Sequence, residues 1–309
     1  MSGLGNIHVM LGEPNVQIRR TIADTLRNHG YHAIRDTAQP EKITDAIFEN
    51  QIDVLICDVE LGGQDMCELI YRIRHHHIGN NPFLVTMVLT DNPSVEMVRK
   101  IVNSGADDVL LKPVSVQQIL DRLDVLSNSR KGFVVTTEYI GPDRRINGPR
   151  PGTQEIEIID VPNPLQYKRD ENYNVSAIQN AINIAARMIN DQKMERHAFQ
   201  IDYLVDQIVP RYTIGDVGGD LKGMVRRLVY VAEDLVRRMA GTEREHIRSL
   251  GESLIKISKS IHRHSDDPDK RDIHLLPELG AAIKKAFDAD EKSAALARDI
   301  SDSIGREAH

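Results

Sequence analysis

Residues 53–63 read Asp-Val-Leu-Ile-Cys-Asp-Val-Glu-Leu-Gly-Gly, and their pattern decides the fold. Four apolar residues, Val54 to Cys57, run without alternation into the acid Asp58, and Gly62-Gly63 then break the pattern. A short continuous apolar run bounded by turn residues suits a central strand of a parallel sheet, covered on both faces. In open α/β sheets, sites form beyond the carboxyl ends of such strands. Taken alone, Asp58 is equally well an acid in a solvated loop, so the surrounding chain must separate the two.

Outward from this strand, residues 7–128 alternate regularly. The strand candidates are Ile7–Leu11, Tyr31–Arg35, Asp53–Cys57, Phe83–Leu89 and Asp107–Leu111. The helical patterns between and after them cover about 15–28, 40–49, 65–74, 93–103 and 115–126. Gly30 stands where a helix C-cap is expected. Five strand–helix units with short connections predict an α/β fold: one doubly wound, five-stranded parallel sheet with helices on both faces.

Composition narrows the possibilities. Of 309 residues, 40% are apolar, 28% are charged, 4% are aromatic and none is Trp, so cores must be built from Leu, Ile, Val and Ala. The net charge of −7 lies mostly in residues 1–128, with 11 basic against 17 acidic residues; residues 173–309 are balanced at 21 against 22. No segment is strongly basic, which argues against nucleic acid as a partner. The two cysteines, Cys57 and Cys67, do not make a disulfide framework and read as reduced thiols. No apolar run approaches 18 residues and no secretory signal opens the sequence, so the expectation is a cytoplasmic protein with no membrane association.

The pattern changes at Ser129. From there to Asn172 lie Gly132, Gly141, Pro142, Gly148, Pro149, Pro151, Gly152, Pro162 and Pro164, around two β-like runs, 133–137 and 155–161. A connection of this length is not an ordinary loop, and its apolar runs predict partial order against one of the domains. Within it, Tyr139-Ile140-Gly141-Pro142-Asp143-Arg144-Arg145 could dock two arginines on an acidic surface or form an exposed turn. From Tyr173 onward the periodicity is helical. Stripes run through Ile178, Ile182, Ala185 and Ile189, through 203–209 up to Pro210, and through Leu221 to Met239. Thr242-Glu243-Arg244-Glu245 resembles a capping box, and helices over 275–287 and Ala289–Ile304 follow. The expected organisation is 1–128, a linker 129–172, and an all-α domain 173–309.

Read in order, the strand ends carry Gly12-Glu13, Asp58, Thr90 and Lys112-Pro113. An acid, a central aspartate, a hydroxyl and a lysine thus converge on one sheet edge. With its Asp-Val-Leu-Ile-Cys-Asp, Val-Leu-Thr-Asp and Gly-Ala-Asp-Asp-Val-Leu-Leu-Lys-Pro stretches, 7–128 resembles the receiver domain of bacterial two-component response regulators. The resemblance implies a flavodoxin-like fold and a phosphoprotein with no activity beyond self-phosphotransfer and autodephosphorylation. Asp58 would be the phospho-acceptor. Lys112 and Thr90 would contact phosphoryl oxygens, and Mg²⁺ would be held by Glu13, Asp58 and the Glu60 backbone carbonyl. Phosphoryl transfer of this kind rests on positioning and charge neutralisation. The implied partners are a sensor histidine kinase or histidine phosphotransfer protein, a second copy in a homodimer, and an unnamed protein target of the helical domain.

The pattern departs from the family at three positions. One acid, Glu13, stands where receivers carry two, which implies weaker Mg²⁺ binding. Asp91 follows Thr90 where a small residue is usual, and Val109 takes the place of a switching aromatic. These changes keep a second reading open, a phosphorylation-independent pseudo-receiver acting as a scaffold. Other signals have ordinary explanations: His75-His76-His77 suit a solvated helix end, Thr90 could cap the next helix, and Arg226-Arg227 and Arg237-Arg238 suit a solvated face. His246, His262 and His264 lie in or near helices but none is followed by the Lys-Gly of phosphotransfer bundles, and label on His246 or His262 would reveal such a bundle.

Overall fold

The computed structural model describes residues 3–145, 157–170 and 174–287. Gly148, Pro149, Pro151 and Gly152, the start of the 155–161 run, the expected helix Ala289–Ile304 and the His246 side chain lie outside the described residues. The chain divides into two compact units, Met1–Ile189 and Asn190–His309.

Unit 1 is built on the sheet that the Val54–Cys57 run predicts. Its strands are β1 (Val9–Gly12), β2 (Ile34–Thr37), β3 (Val54–Asp58), β6 (Val85–Thr90) and β7 (Asp108–Leu111), in spatial order β2-β1-β3-β6-β7. Every pairing is parallel. The connecting helices are α1 (Val16–Asn28), α2 (Pro40–Phe48), α3 (Met66–Arg74), α4 (Val95–Asn103) and α5 (Val116–Ser129). Successive strand residues point to opposite faces, and the core divides accordingly. Met10, Leu55, Cys57 and Val88 pack with α2, α3 and α4, whereas Val9, Leu11, Ile56 and Met87 pack with α1 and α5. β2 begins three residues later than the periodicity suggests, because Tyr31 is buried in the α1/α5 core instead of extending the strand.

Between β3 and α3 lies a hairpin, β4 (Glu60–Leu61) and β5 (Gln64–Asp65). Gly62 and Gly63 form its turn at φ +56° and +79°, a conformation that favours glycine. Ser94, not Thr90, caps α4, its hydroxyl accepting from the Met97 N–H.

The chain after α5 folds back onto the amino-terminal end of the sheet. β8 (Phe133–Val135), β9 (Ile140–Pro142) and β10 (Ile158–Ile159) form an antiparallel sheet in the order β10-β8-β9. Phe133, Val135, Ile140 and Ile159 close a core with Phe83 and with Ile182, Ala185 and Ile189 of the following helix. α6 (Pro164–Arg169) adds Leu165 to the α1/α5 core, and Lys168 and Arg169 pair with Asp53 and Asp124. Asn163 donates to the Leu126 and Ser127 carbonyls at the end of α5.

Asp107 is the centre of this packing. Its carboxylate accepts from Arg74, Arg130 and the Thr86 N–H, while Arg74 also donates to the carbonyls of Gly105, Pro82 and Leu84. Both guanidinium groups lie against the Phe133 ring, 5.1 and 5.2 Å from its centroid. Arg144 donates to the Ala106 and Asp107 carbonyls, so the Gly-Pro-Asp-Arg-Arg stretch is docked through one arginine. Arg145 pairs with Asp143.

His75 corrects the reading of a solvated His run. It is buried and stacked on Tyr71 with ring centroids 3.9 Å apart, while His76 and His77 are exposed. The helix end turns the imidazole inward, which sequence adjacency could not show.

α7 (Val175–Ile214) carries both of the first two helical stripes and passes through Pro210. The proline removes one helical hydrogen bond and crowds the preceding turn. Packing on both sides, by Ile208 and by Tyr212 on the bundle core, holds the helix through it. Unit 2 takes the rest of α7, α8 (Gly219–Met239), α9 (Arg248–Arg263) and α10 (270–287). Their inner faces share one core that includes Leu204, Leu228, Leu235, Leu254 and Ile283. The expected capping box is a turn instead: Glu245 accepts from the Gly241 N–H, and α9 starts three residues later.

A buried polar cluster joins α7 to α8. His197, fully buried, pairs through Nε2 with Asp234 at 2.7 Å, and Asp234 also receives Arg238 and Arg237. Burial holds the His197 imidazole below its usual range. Lys193 is buried beside them, and burial together with the Arg238 charge lowers its ammonium to about 7.

Candidate functional site

Parallel strands bring their carboxyl ends to one edge. In this register Gly12 lies beside Cys57, Asp58 beside Leu89, and Thr90 beside Leu111. The residue following each of β1, β3 and β7, or its last member, therefore reaches one pocket. There the Lys112 ammonium bridges two carboxylates, at 2.5 Å from Glu13 Oε2 and in a short ion pair with Asp58 Oδ2. Burial alone would pull the Lys112 pKa down, but its hydrogen bonds to the Asp58 and Glu13 carboxylates more than offset it and hold it above the ordinary lysine value. The Asp58 Oδ1 atom accepts from the Glu60 N–H at 2.9 Å, which orients the carboxylate from behind.

Thr90 ends β6 fully buried, its hydroxyl accepting from the Asn92 N–H. Its carbonyl accepts from the Lys112 N–H, tying the β6 and β7 ends together. The structure thus gathers Glu13, Asp58 and Lys112 into one ion-paired set, with Thr90 and Glu60 joined to it through the backbone. Asp91 is exposed, and Val109 packs half-buried on the α4 side.

Gly12 stands where the family pattern has the other acid, and a Cβ there would meet the ends of two apolar side chains, 2.8 Å from Ile43 Cδ1 and 3.0 Å from Leu61 Cδ2. Glu13 reaches the pocket instead, buried, with Oε1 accepting from the Asn15 N–H. Its main chain is held at both ends: its N–H donates to the Thr37 carbonyl, and Arg19 Nη1 donates to its carbonyl at 2.6 Å. Periodicity marks Arg19 only as a helix residue, so nothing in the sequence pointed to it.

The donor set suits a hard divalent cation. The Glu13 and Asp58 carboxylates that meet on Lys112 are hard oxygen donors of the kind Mg²⁺ takes, an ion that keeps waters for much of its shell. Among the described residues no group of three or more His, Cys, Asp or Glu side chains could hold a metal ion. The nearby thiols are inert: burial pushes Cys57 and Cys67 up, Cys67 to about 12.

The fold and this edge define a class, and residues 9–124 match the family model described as response regulator receiver domain. Residues 9–124 form a response regulator receiver domain. The match ends at residue 124, within α5, and does not reach the helices α7 to α10.

Relatives match over a similar length. Two-component response regulator PprB of Pseudomonas aeruginosa is 27% identical over 120 residues, 39% of this chain and 43% of that protein. Transcriptional regulatory protein PhoP of Escherichia coli K12 is 27% identical over 128 residues, 41% of this chain and 55% of that protein. A cyclic di-GMP phosphodiesterase of Thermotoga maritima is 31% identical over 132 residues, 43% of this chain and 34% of that protein. The chain thus spans between a third and just over half of the length of these relatives. Among solved structures, a putative response regulator from Chloroflexus aurantiacus is 30% identical with a TM-score of 0.34, covering 38% of this chain and 95% of that one. No helix among the described residues is long and apolar enough to cross a membrane.

Proposed function

We propose that Asp58 accepts a phosphoryl group from a histidine kinase, a histidine phosphotransfer protein or a small phosphodonor, and that residues 173–309 carry the output. In this organisation 1–128 receives the signal and 129–172 connects the two. The observation that supports it is the Lys112 ammonium bridging the Asp58 and Glu13 carboxylates at the sheet edge.

The chemistry follows from these groups. An Asp58 carboxylate oxygen attacks phosphorus, a new O–P bond forms, and the donor's bond to phosphorus breaks, leaving an acyl phosphate. Lys112 moves from bridging two carboxylates to pairing with a phosphoryl oxygen, which keeps its positive charge beside the developing negative charge. Mg²⁺ held by Glu13, Asp58 and the Glu60 carbonyl supplies further charge neutralisation when bound. The Thr90 carbonyl accepts from the Lys112 N–H and its hydroxyl accepts from the Asn92 N–H, which supports a reading in which that hydroxyl turns toward a phosphoryl oxygen and draws the β6–α4 loop inward. No enzymatic output is proposed, and the helical unit is read as binding a protein partner or a second copy.

The test is intact mass after incubation with acetyl phosphate and Mg²⁺, beside Asp58→Ala. The expected result is a gain of one phosphoryl group that the variant lacks. No gain, together with no binding of beryllofluoride, would sink the proposal and favour a receiver that works without phosphorylation.

A further inference from the structure

We propose that Arg19 is a positioning residue for the divalent cation: it clamps the main chain of Glu13 so that the one available carboxylate of this loop is held in the pocket. The inference rests on the proposed reading of the Asp58 site. Three observations carry it. First, Gly12 is packed against Ile43 and Leu61, so the β1–α1 loop offers a carboxylate from position 13 only. Second, the Glu13 side chain doubles back, with Oε1 on the Asn15 N–H and Oε2 on Lys112, so its reach depends on where its backbone is fixed. Third, that backbone is fixed by partners on two elements. The N–H donates to Thr37 at the end of β2, and the carbonyl accepts from Arg19 on α1.

Arg19 is itself anchored. Its Nε donates to Asp36 on β2 at 3.0 Å, and its side chain is only 15% exposed. One guanidinium therefore ties the β1–α1 loop to β2. Pro14 has no N–H to offer a substitute bond, so removing Arg19 frees the Glu13 carbonyl and lets the loop move outward. Groups that hold a ligating carboxylate in place typically change metal affinity about 10-fold or more when lost.

The test is Mg²⁺ titration by calorimetry on the full chain, for wild type, Arg19→Ala, Arg19→Lys and Arg27→Ala, with acetyl phosphate labelling and thermal melting run in parallel. The expected result is roughly 10-fold weaker Mg²⁺ binding in Arg19→Ala. A smaller loss is expected in Arg19→Lys, which keeps one donor, and none in Arg27→Ala, which only pairs on the surface with Asp24 and Asp36. If Arg19→Ala does not fold, Arg19→Lys against Arg27→Ala makes the same comparison. An unchanged Mg²⁺ affinity with a lowered Tm overturns the inference and leaves Arg19 a stabilising residue; so does a wild type that binds no Mg²⁺. Wild type that binds Mg²⁺ but takes no label at Asp58 removes the proposed function instead, and the Arg19 comparison still decides this inference.

Discussion

Asp107→Asn removes one charge from a site where two buried guanidinium groups depend on it. The side chains of Arg74, Asp107 and Arg130 are 0%, 1% and 3% exposed, so solvent cannot replace the lost partner. Asparagine keeps the shape and one acceptor, but it turns an amide N–H₂ toward a guanidinium and leaves two cations with no anion between them. Burial lowers the Arg74 pKa to about 10 even with the Asp107 charge beside it to raise it. Breaking a buried pair in this way costs about 3–5 kcal/mol. For a unit of this size that is a fall in Tm of roughly 6–20 °C. Urea unfolding followed by circular dichroism measures the loss, and hydrogen exchange by mass spectrometry assigns it to residues 1–189 and not to the helical unit. The pH dependence is a second readout. Although burial raises it, the two arginines hold the Asp107 carboxyl below its ordinary 3.8. The unfolded state therefore binds the extra proton, and this stabilisation is present above about 3.8 and lost as pH falls through the folded value. The variant should lack that acid limb. A loss below about 1 kcal/mol, or an unchanged acid limb, would show that Asp107 is a bystander and not the centre of this packing.

Three other perturbations have defined outcomes. Lys193→Met should stabilise the helical unit at pH 6 by a few kcal/mol. Burial holds this lysine near 7 against an ordinary 10.5, so the unfolded state binds more protons and wild-type stability should rise between about pH 7 and 10, a rise the variant lacks. Gly12→Asp, which restores the second acid of the family pattern, should destabilise unit 1 by about 1–3 kcal/mol because the new Cβ meets Ile43 and Leu61, and denaturant unfolding reads this directly. Gly105→Ala combines a φ of +86° with a collision against the Ile140 carbonyl, so hydrogen exchange at 140–142 should rise as β9 leaves the receiver. Unchanged protection there would refute the docking.

What could be read from the sequence was what depends on near neighbours. The unalternated run from Val54 to Cys57 marks a strand buried on both faces, and five such units with short helices leave one topology open. Because parallel strands end on one side, the residues after them could be grouped on one edge before any distance was known.

What only the tertiary structure decided involves partners far apart in the chain. Arg74 and Asp107 are 33 residues apart and Lys112 and Glu13 are 99 apart, and no periodicity records which arginine or acid will be buried. His75 and His77 are indistinguishable in sequence, yet one is buried under Tyr71 and the other is exposed, because the end of α3 turns between them. Pro210 reads as a helix end by its own chemistry, and the core on both sides overrides it. The neighbours that a side chain at position 12 would meet, Ile43 and Leu61, lie 31 and 49 positions away. A sequence pattern reports the local cost of each residue, and packing between distant segments sets which of those costs the fold accepts.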